Sequence, residues 1–173
     1  MNADKRAYIG LGANLPFNGV GGPALLAQAL SALQAAGFTP VAVSNVWQTM
    51  AWPPSDQPDY YNAVAAIETG GASPQALWQT LRGIELQFGR ERRDRWAART
   101  LDLDIIAMEG VEGTFGEVTV PHPRMQERAF VLAPLAEVAP DWRHPVSGLT
   151  AAQMLKTVPS GQRYRRLGPL AAG

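Results

Sequence analysis

Two segments with helical start and stop signals limit the order of elements that this chain can adopt. The first spans residues 23–36, is rich in alanine and leucine, and is followed by Gly37. The second begins at Ser73 and Pro74, which are typical of an N-cap and a first helical position, and is expected to end near Gly89. The stretches on either side of each helix are left to strands and loops.

Strand-like runs flank both helices. They are apolar or alternating segments at residues 8–12, 41–47, 61–69 and 100–108. The order strand, helix, strand, strand, helix, strand is that of a ferredoxin-like βαββαβ unit. It predicts an α+β fold in which an antiparallel sheet carries two helices on one face. A hairpin ending at residues 118–120 and a short helix at 130–138 are expected to extend this unit.

The length of 173 residues and the hydrophobic content of 46% suit one ordinary core. Residues 1–160 are therefore expected to form a single domain, and residues 161–173 a loosely ordered tail. The chain has no apolar run long enough to cross a bilayer and no secretory pattern at its N-terminus. The cytoplasm is the expected location.

Composition excludes several kinds of site. The chain has no cysteine, which rules out disulfides and cysteine-ligated metals. Its two histidines, His122 and His144, are too few for a typical histidine-rich zinc site. Fifteen basic residues balance fifteen acidic ones, so no general affinity for nucleic acid or anionic membranes is indicated.

Asp102 and Asp104 are the strongest local signal for chemistry. Because side chains alternate along a strand, both carboxylates should share one face while Leu101, Leu103 and Ile105 point into the core. Two carboxylates roughly 6–7 Å apart need a counter-charge, and Mg²⁺ prefers oxygen ligands. Taken alone, the pair fits the solvated face of an edge strand better.

An arginine-rich loop immediately upstream changes that balance. Five of the ten residues in 90–99 are arginines, namely Arg90, Arg92, Arg93, Arg95 and Arg99. Guanidinium groups suit phosphate oxygens and keep their charge. A solvated loop or a nucleic-acid patch would explain the arginines alone, but Trp96 among them fits better as cover for a bound ring. Carboxylates for a metal beside arginines for phosphates indicate phosphoryl transfer.

Other candidates are weaker. The segment around Gly10 and Gly12 has neither the lysine nor the spacing of a Walker loop. We interpret the two glycines as a turn that lets a ligand come close to the backbone. A plain tight turn explains them equally well. Tyr60 and Asn62 open a strand, where a ring face and an amide suit a flat heterocycle but also ordinary packing. A lone histidine such as His122 is more often structural than catalytic.

In combination, these segments resemble one family, the 6-hydroxymethyl-7,8-dihydropterin pyrophosphokinases. The resemblance runs from about Tyr8 to Leu155 and depends on five segments in order. They are residues 8–15, 57–62, 84–90, 95–105 and 120–122. The resemblance implies transfer of pyrophosphate from ATP to the hydroxymethyl group of the reduced pterin, giving the pterin diphosphate and AMP in folate synthesis. ATP and the pterin are the expected partners, with no nucleic acid or membrane, and the chain is expected to be a monomer.

The resemblance also implies roles for individual residues. Two Mg²⁺ ions would be held by Asp102 and Asp104. The pterin would lie between Tyr60 and Phe130, with Thr49, Asn62 and Trp96 close to it. The ATP site would be lined by Glu85, Arg92, Arg95, Arg99, Ile105, Thr119, His122 and Arg128. Arg90 and Arg99 would act in catalysis from the mobile loop that closes over the triphosphate.

Some positions depart from the family pattern, and two rival functions remain open. The departures are Met50-Ala51, Ala97-Ala98, Pro123 and Glu117, and they concern loop rigidity and ATP affinity. One rival is a nucleic-acid-binding module, which would need basic and aromatic residues spread over the strands. The other is a regulatory ligand-binding domain without catalysis, against which the intact pair of aspartates argues.

Overall fold

The computed structural model describes residues 5–50, 58–89 and 100–170. The strands are β1 (Arg6–Ala13), β2 (Pro40–Val43), β3 (Asn45–Thr49), β4 (Tyr60–Glu68), β5 (Asp102–Met108), β6 (Gly113–Phe115), β7 (Val118–Val120) and β8 (Tyr164–Pro169). The helices are α1 (Gly22–Ala35), α2 (Pro74–Gln87), α3 (Ala129–Val138) and α4 (Ala151–Leu155), with a 3₁₀ turn at Met125–Glu127.

The main sheet is antiparallel and has the strand order β5-β1-β4-β3-β8, with β2 also paired to β4. Together with α1 and α2, this confirms the expected ferredoxin-like order. The segment 41–47, expected as one strand, is divided between β2 and β3 at Ser44. There the Ser44 hydroxyl accepts a hydrogen bond from Val64 N–H at 2.9 Å, so a side chain takes part in the pairing with β4.

Helices cover both faces of the sheet. On the first face, α1 and α2 bury leucines such as Leu25 and Leu77 against the apolar side of β1, β4 and β5. On the second face, α3 and α4 bury Leu132 and Met154 against Tyr8 and neighbouring residues. The sequence predicted the first layer and a helical extension, and the structure places that extension on the second face.

The C-terminal segment differs from the loosely ordered tail that was expected. Tyr164–Pro169 forms β8, which pairs with β3 so that Tyr164 lies opposite Thr49. The Tyr164 and Trp47 rings pack with their centroids 5.7 Å apart. All but one residue of β8 are exposed, and the strand lacks the alternation by which a half-buried strand is recognised. Its order comes from pairing with a distant strand.

Replacing Ser73 with alanine should destabilise the fold by about 1 kcal/mol, because the Ser73 side chain caps α2 by accepting a hydrogen bond from Ala76 N–H at 3.1 Å. Urea unfolding measures this change. Ser31→Ala is the matched control, since the Ser31 hydroxyl donates to Ala27 C=O inside α1 and is not a cap. An equal loss of stability in both variants would contradict the capping role.

Candidate active site

The register of the sheet aligns the candidate residues in a row across its second face. Asp102 on β5 lies opposite Gly12 on β1, and Gly12 in turn lies opposite Asn62 on β4. Asp104 lies opposite Gly10 in the same way. Directly opposed residues in an antiparallel sheet project to the same face. Both carboxylates and the Asn62 amide therefore project from one surface. Between them lies β1, which has Gly10 and Gly12 at the positions that face this surface.

Gly10 and Gly12 lie within β1 and do not form the turn that was expected. A Cβ atom at Gly12 would lie 2.9 Å from Asn62 Oδ1, and one at Gly10 would lie 3.1 Å from Ile106 Cδ1. Two strand spacings of about 4.8 Å separate β5 from β4, so the backbones that carry the aspartates and Asn62 lie roughly 10 Å apart. We call the strip of β1 between them, where Gly10 and Gly12 carry no side chains, the glycine gap. Larger residues at these two positions would meet Ile106 and Asn62.

The edge of β5 is completed by side chains of α2 at the residue between the two aspartates. Glu85 is 1% exposed, and its Oε2 accepts a hydrogen bond from Leu103 N–H at 2.8 Å. Arg82 donates to Leu103 C=O at 2.5 Å, and its Nη1 lies 2.9 Å from Glu85 Oε1. The resemblance assigned Glu85 to the ATP site. In the structure its side chain supports the strand that carries Asp102 and Asp104.

His122 follows β7 and is fixed by two backbone groups. The backbone N–H of His122 donates to Ile106 C=O at 2.8 Å, and the ring Nδ1 accepts from the backbone N–H of Arg124 at 3.2 Å. The pKa of His122 is lowered to about 4, mainly by burial and next by the charge of Arg128, while Asp102 opposes the shift. Near neutral pH the ring is therefore uncharged, with its proton on Nε2, and it can donate a hydrogen bond without adding charge.

Arg128 precedes α3 and carries a positive charge toward the aspartates. Burial is the largest influence on its pKa and lowers it, whereas Asp104, followed by Asp102, favours the charged form. The guanidinium carbon also lies 5.6 Å from the centre of the Phe130 ring. An arginine keeps its charge in such surroundings. Arg128 therefore provides a fixed cation beside the two carboxylates.

The polar and aromatic residues assigned to the pterin form a second group at the other end of the row. Asn62 and Thr49 are both buried, and the Asn62 amide nitrogen donates to the Thr49 hydroxyl at 2.8 Å. Tyr60 lies opposite Thr49 and so shares its face. Phe130 and Thr49 line one small recess together with Met50, Ala129, Gln162, Arg163 and Tyr164. The described members of the predicted pterin set are therefore neighbours.

Other predicted residues lie differently. The Ile105 side chain packs in the core on the first face of the sheet. Thr119 lies on the exposed side of the β6–β7 hairpin, with its hydroxyl 3.2 Å from that of Thr114. The remaining predictions fall outside the described residues; they are Arg90, Arg92, Arg95, Trp96 and Arg99.

Sequence reasoning missed two residues that contact this region. Arg82 lies one helical turn before Glu85, and that spacing is a sequence signal for an ion pair. Gln162 contacts the backbone on both sides of Arg128. It lies in the segment that was expected to be loosely ordered, and no local pattern marks it.

The family model described as 7,8-dihydro-6-hydroxymethylpterin-pyrophosphokinase matches residues 8–140. The chain belongs to this family. That match spans β1 to α3 and includes every strand and helix of the candidate site except β8. Family membership selects an enzyme over the two rival classes, the nucleic-acid module and the regulatory domain.

Curated relatives agree with this assignment. A 2-amino-4-hydroxy-6-hydroxymethyldihydropteridine pyrophosphokinase of Synechocystis is 42% identical over 155 residues, covering 88% of this chain and 75% of the relative. One of Methylorubrum extorquens is 40% identical over 158 residues, covering 90% of this chain and 96% of the relative.

Solved structures support the fold. The wild-type Plasmodium falciparum HPPK-DHPS with pteroate superposes with a TM-score of 0.70 at 12% identity, over 90% of this chain. This chain spans 44% of that longer protein. At such low identity the likeness concerns architecture alone.

A pyrophosphokinase of this family needs a place for phosphates and their cation. Among residues 5–50, 58–89 and 100–170, no group of three or more acidic, histidine or cysteine side chains is arranged to hold a metal. Asp102 and Asp104 offer two carboxylates. This number suits Mg²⁺, which commonly takes one or two carboxylates and fills its other positions with phosphates and water.

Within the same residues, no helix is both long and apolar enough to span a membrane.

We expect the His122 ring to titrate near pH 4 in the folded, magnesium-free chain. The unfolded chain takes up this proton near pH 6.5. The stability due to the neutral ring is therefore fully present above pH 6.5 and is lost as pH falls toward 4. NMR titration of the imidazole protons measures the pKa. His122→Gln should lose less stability than the wild type between pH 7 and 5. A wild-type pKa near 6.5 would show that the ring is not buried as described.

Proposed function

We propose that this chain transfers the pyrophosphoryl group of ATP to the hydroxymethyl oxygen of 6-hydroxymethyl-7,8-dihydropterin. The products are the pterin diphosphate and AMP, and the reaction belongs to folate biosynthesis. The observation that carries this proposal is the family match over residues 8–140. The grouping of Asp102 and Asp104 on the same sheet face as Asn62 supports it.

The two aspartates are the proposed magnesium ligands. They lie on one face of β5, two residues apart and only partly buried, with the charge of Arg128 nearby. This donor set accepts Mg²⁺ that also binds phosphate oxygens and water. We propose two ions, as the family resemblance implies. When bound, Mg²⁺ would neutralise negative charge on the triphosphate.

The nucleotide is proposed to lie at the β5 side of the row. Arg128 contributes a fixed positive charge and the neutral His122 a hydrogen-bond donor for phosphate oxygens or the nucleoside. The other proposed contacts are Glu85, Arg92, Arg95, Arg99, Ile105 and Thr119. For Glu85 and Ile105, whose described side-chain contacts lie in the core, a backbone or indirect contribution fits the structure better than direct side-chain contact.

The pterin is proposed to lie at the β3–β4 side of the row. A flat heterocycle needs ring faces and a polar edge partner. Tyr60 and Phe130 supply the faces, while Asn62, whose amide is oriented by Thr49, supplies the edge contacts. Trp96, outside the described residues, is the remaining member of this proposed set.

The proposed reaction is an in-line displacement across the glycine gap. The hydroxymethyl oxygen attacks the β-phosphorus of ATP, and a new O–P bond forms. The bond from the β-phosphorus to the oxygen bridging it to the α-phosphate breaks, and AMP leaves with that oxygen. The hydroxyl proton passes to solvent, and no side-chain base is assigned. Arg128, with Arg90 and Arg99 of the arginine-rich segment, stabilises the charge that develops on the phosphates.

Asp102→Asn and Asp104→Asn should each lower turnover by about a thousandfold, because each removes a charged ligand that offsets phosphate charge. AMP formation from ATP, Mg²⁺ and the pterin is the measurement, and circular dichroism checks the fold. Asp141→Asn is the matched control, since Asp141 is an exposed residue just after α3. Near-normal turnover in either test variant would contradict the metal assignment.

Gly12→Ala should weaken pterin binding by about tenfold, because the added Cβ would lie 2.9 Å from Asn62 Oδ1 and displace the amide. Titration of pterin fluorescence measures the dissociation constant. The matched control is Gly83→Ala within α2, where an added Cβ meets no atom within 4 Å. It should leave pterin binding unchanged and stabilise the helix slightly. Equal pterin affinity in both variants would contradict the role of the gap.

A further inference from the structure

The C-terminal segment beyond residue 140 lies outside the family match, yet it contacts the candidate site. Gln162 makes the contact next to Arg128. Its Oε1 accepts a hydrogen bond from Ala129 N–H at 2.9 Å, and its Nε2 donates to Glu127 C=O at 2.7 Å. One side-chain amide thus bonds the backbone immediately before and immediately after Arg128. We propose that Gln162 is a positioning residue for Arg128 and Phe130, an inference that rests on the proposed function.

The start of α3 explains why such a partner is needed. The first N–H groups of a helix have no partner within the helix and are usually satisfied by a Ser, Thr, Asp or Asn side chain at the N-cap. Here the N-cap is Arg128, and it makes no side-chain cap hydrogen bond. A guanidinium group has only donors and cannot accept from an N–H group. An N-cap side chain bonds the second or third N–H group of a helix and leaves the first one open. Gln162 supplies, from 33 residues away, the acceptor for that first N–H group, which belongs to Ala129.

Because Gln162 bonds the backbone on both sides of Arg128, it holds the point from which the Arg128 side chain reaches the site. Its guanidinium interacts with Asp104 and Asp102 and lies against the Phe130 ring. A conventional capping residue at position 128 would remove the cation. Two residues therefore have separate tasks: Arg128 supplies the charge, and Gln162 holds the backbone on both sides of it.

The residues next to Gln162 tie the same helix to the pterin side of the sheet. Arg163 C=O accepts a hydrogen bond from Met50 N–H at 3.2 Å, just after β3. Tyr164 then lies opposite Thr49 in the ladder of β3 and β8. Gln162, Arg163 and Tyr164 line the recess that also contains Thr49 and Phe130. This segment therefore bridges the two elements proposed to hold the pterin.

Gln162→Ala tests the proposal in the full-length chain. The variant removes the hydrogen bonds to Ala129 N–H and Glu127 C=O, together with a longer one of 3.4 Å to Pro159 C=O. The start of α3 then loses its fixed position. The dissociation constant for 6-hydroxymethyl-7,8-dihydropterin should rise by about tenfold, and the KM for ATP should rise with it. Gln162→Glu keeps an acceptor for Ala129 N–H but loses the donor to Glu127 C=O. Its pterin affinity should lie between those of the wild type and Gln162→Ala.

Gln153→Ala is the matched control. Gln153 lies in the same C-terminal region, and its side chain accepts a hydrogen bond from Thr150 N–H at 2.9 Å as part of the capping box of α4. Removing it should lower thermal stability to a similar degree and leave pterin affinity within about twofold of the wild type. All binding is measured well below the unfolding midpoints, so that a change in affinity reports positioning and not the folded fraction.

The outcomes are distinct. Reduced thermal stability with wild-type pterin affinity in Gln162→Ala would overturn the positioning role and leave Gln162 a structural residue. If Gln162→Ala does not fold, wild-type affinity in Gln162→Glu has the same consequence, and weakened affinity supports the proposal. AMP formation by the wild type distinguishes a failure of the proposed function from a failure of the positioning role of Gln162. Its absence overturns the proposed function and this inference together, whereas its presence with unchanged variants overturns this inference alone.

Discussion

The arrangement of the site depends on the pairing of β1 with β5 on one side and with β4 on the other. Its register sets Asp102 and Asn62 in one row with Gly12 between them. Because side chains alternate along a strand, a shift of one residue would move the aspartates to the face covered by α1 and α2. The buried residues Leu101 and Leu103 oppose such a shift, since it would expose them. Core packing therefore fixes the position of the polar residues.

At two places in the site, backbone N–H or C=O groups have no partner within their own strand or helix. Side chains from other elements bond them instead. At the edge of β5, Arg82 donates to Leu103 C=O and Glu85 accepts from Leu103 N–H. Gln162 bonds the N–H at the start of α3. Both replacements lie next to residues proposed to contact phosphate or pterin. Rigid support of this kind suits a reaction that depends mainly on orientation and electrostatic stabilisation.

Local patterns in the sequence predicted the elements well and their long-range partners poorly. Helical periodicity and the Ser73-Pro74 start predicted α2, and strand alternation placed Asp102 and Asp104 on one face. The glycines of β1 were wrongly interpreted as a turn, because a glycine pair is a common turn signal and the need for space beside Asn62 is visible only once strands are paired. The order of the segment around Gln162 likewise depends on contacts with β3 and α3, which no local pattern encodes.

We propose that one sheet face holds both substrates, with phosphates at the aspartates and the pterin at Asn62 and Phe130. A crystal structure with Mg²⁺, a non-hydrolysable ATP analogue and 6-hydroxymethylpterin tests it most directly. The pterin ring should lie against Phe130, with its hydroxymethyl oxygen turned across the glycine gap toward a β-phosphate beside Asp102 and Asp104. A pterin bound elsewhere, or phosphates remote from the two aspartates, would contradict it.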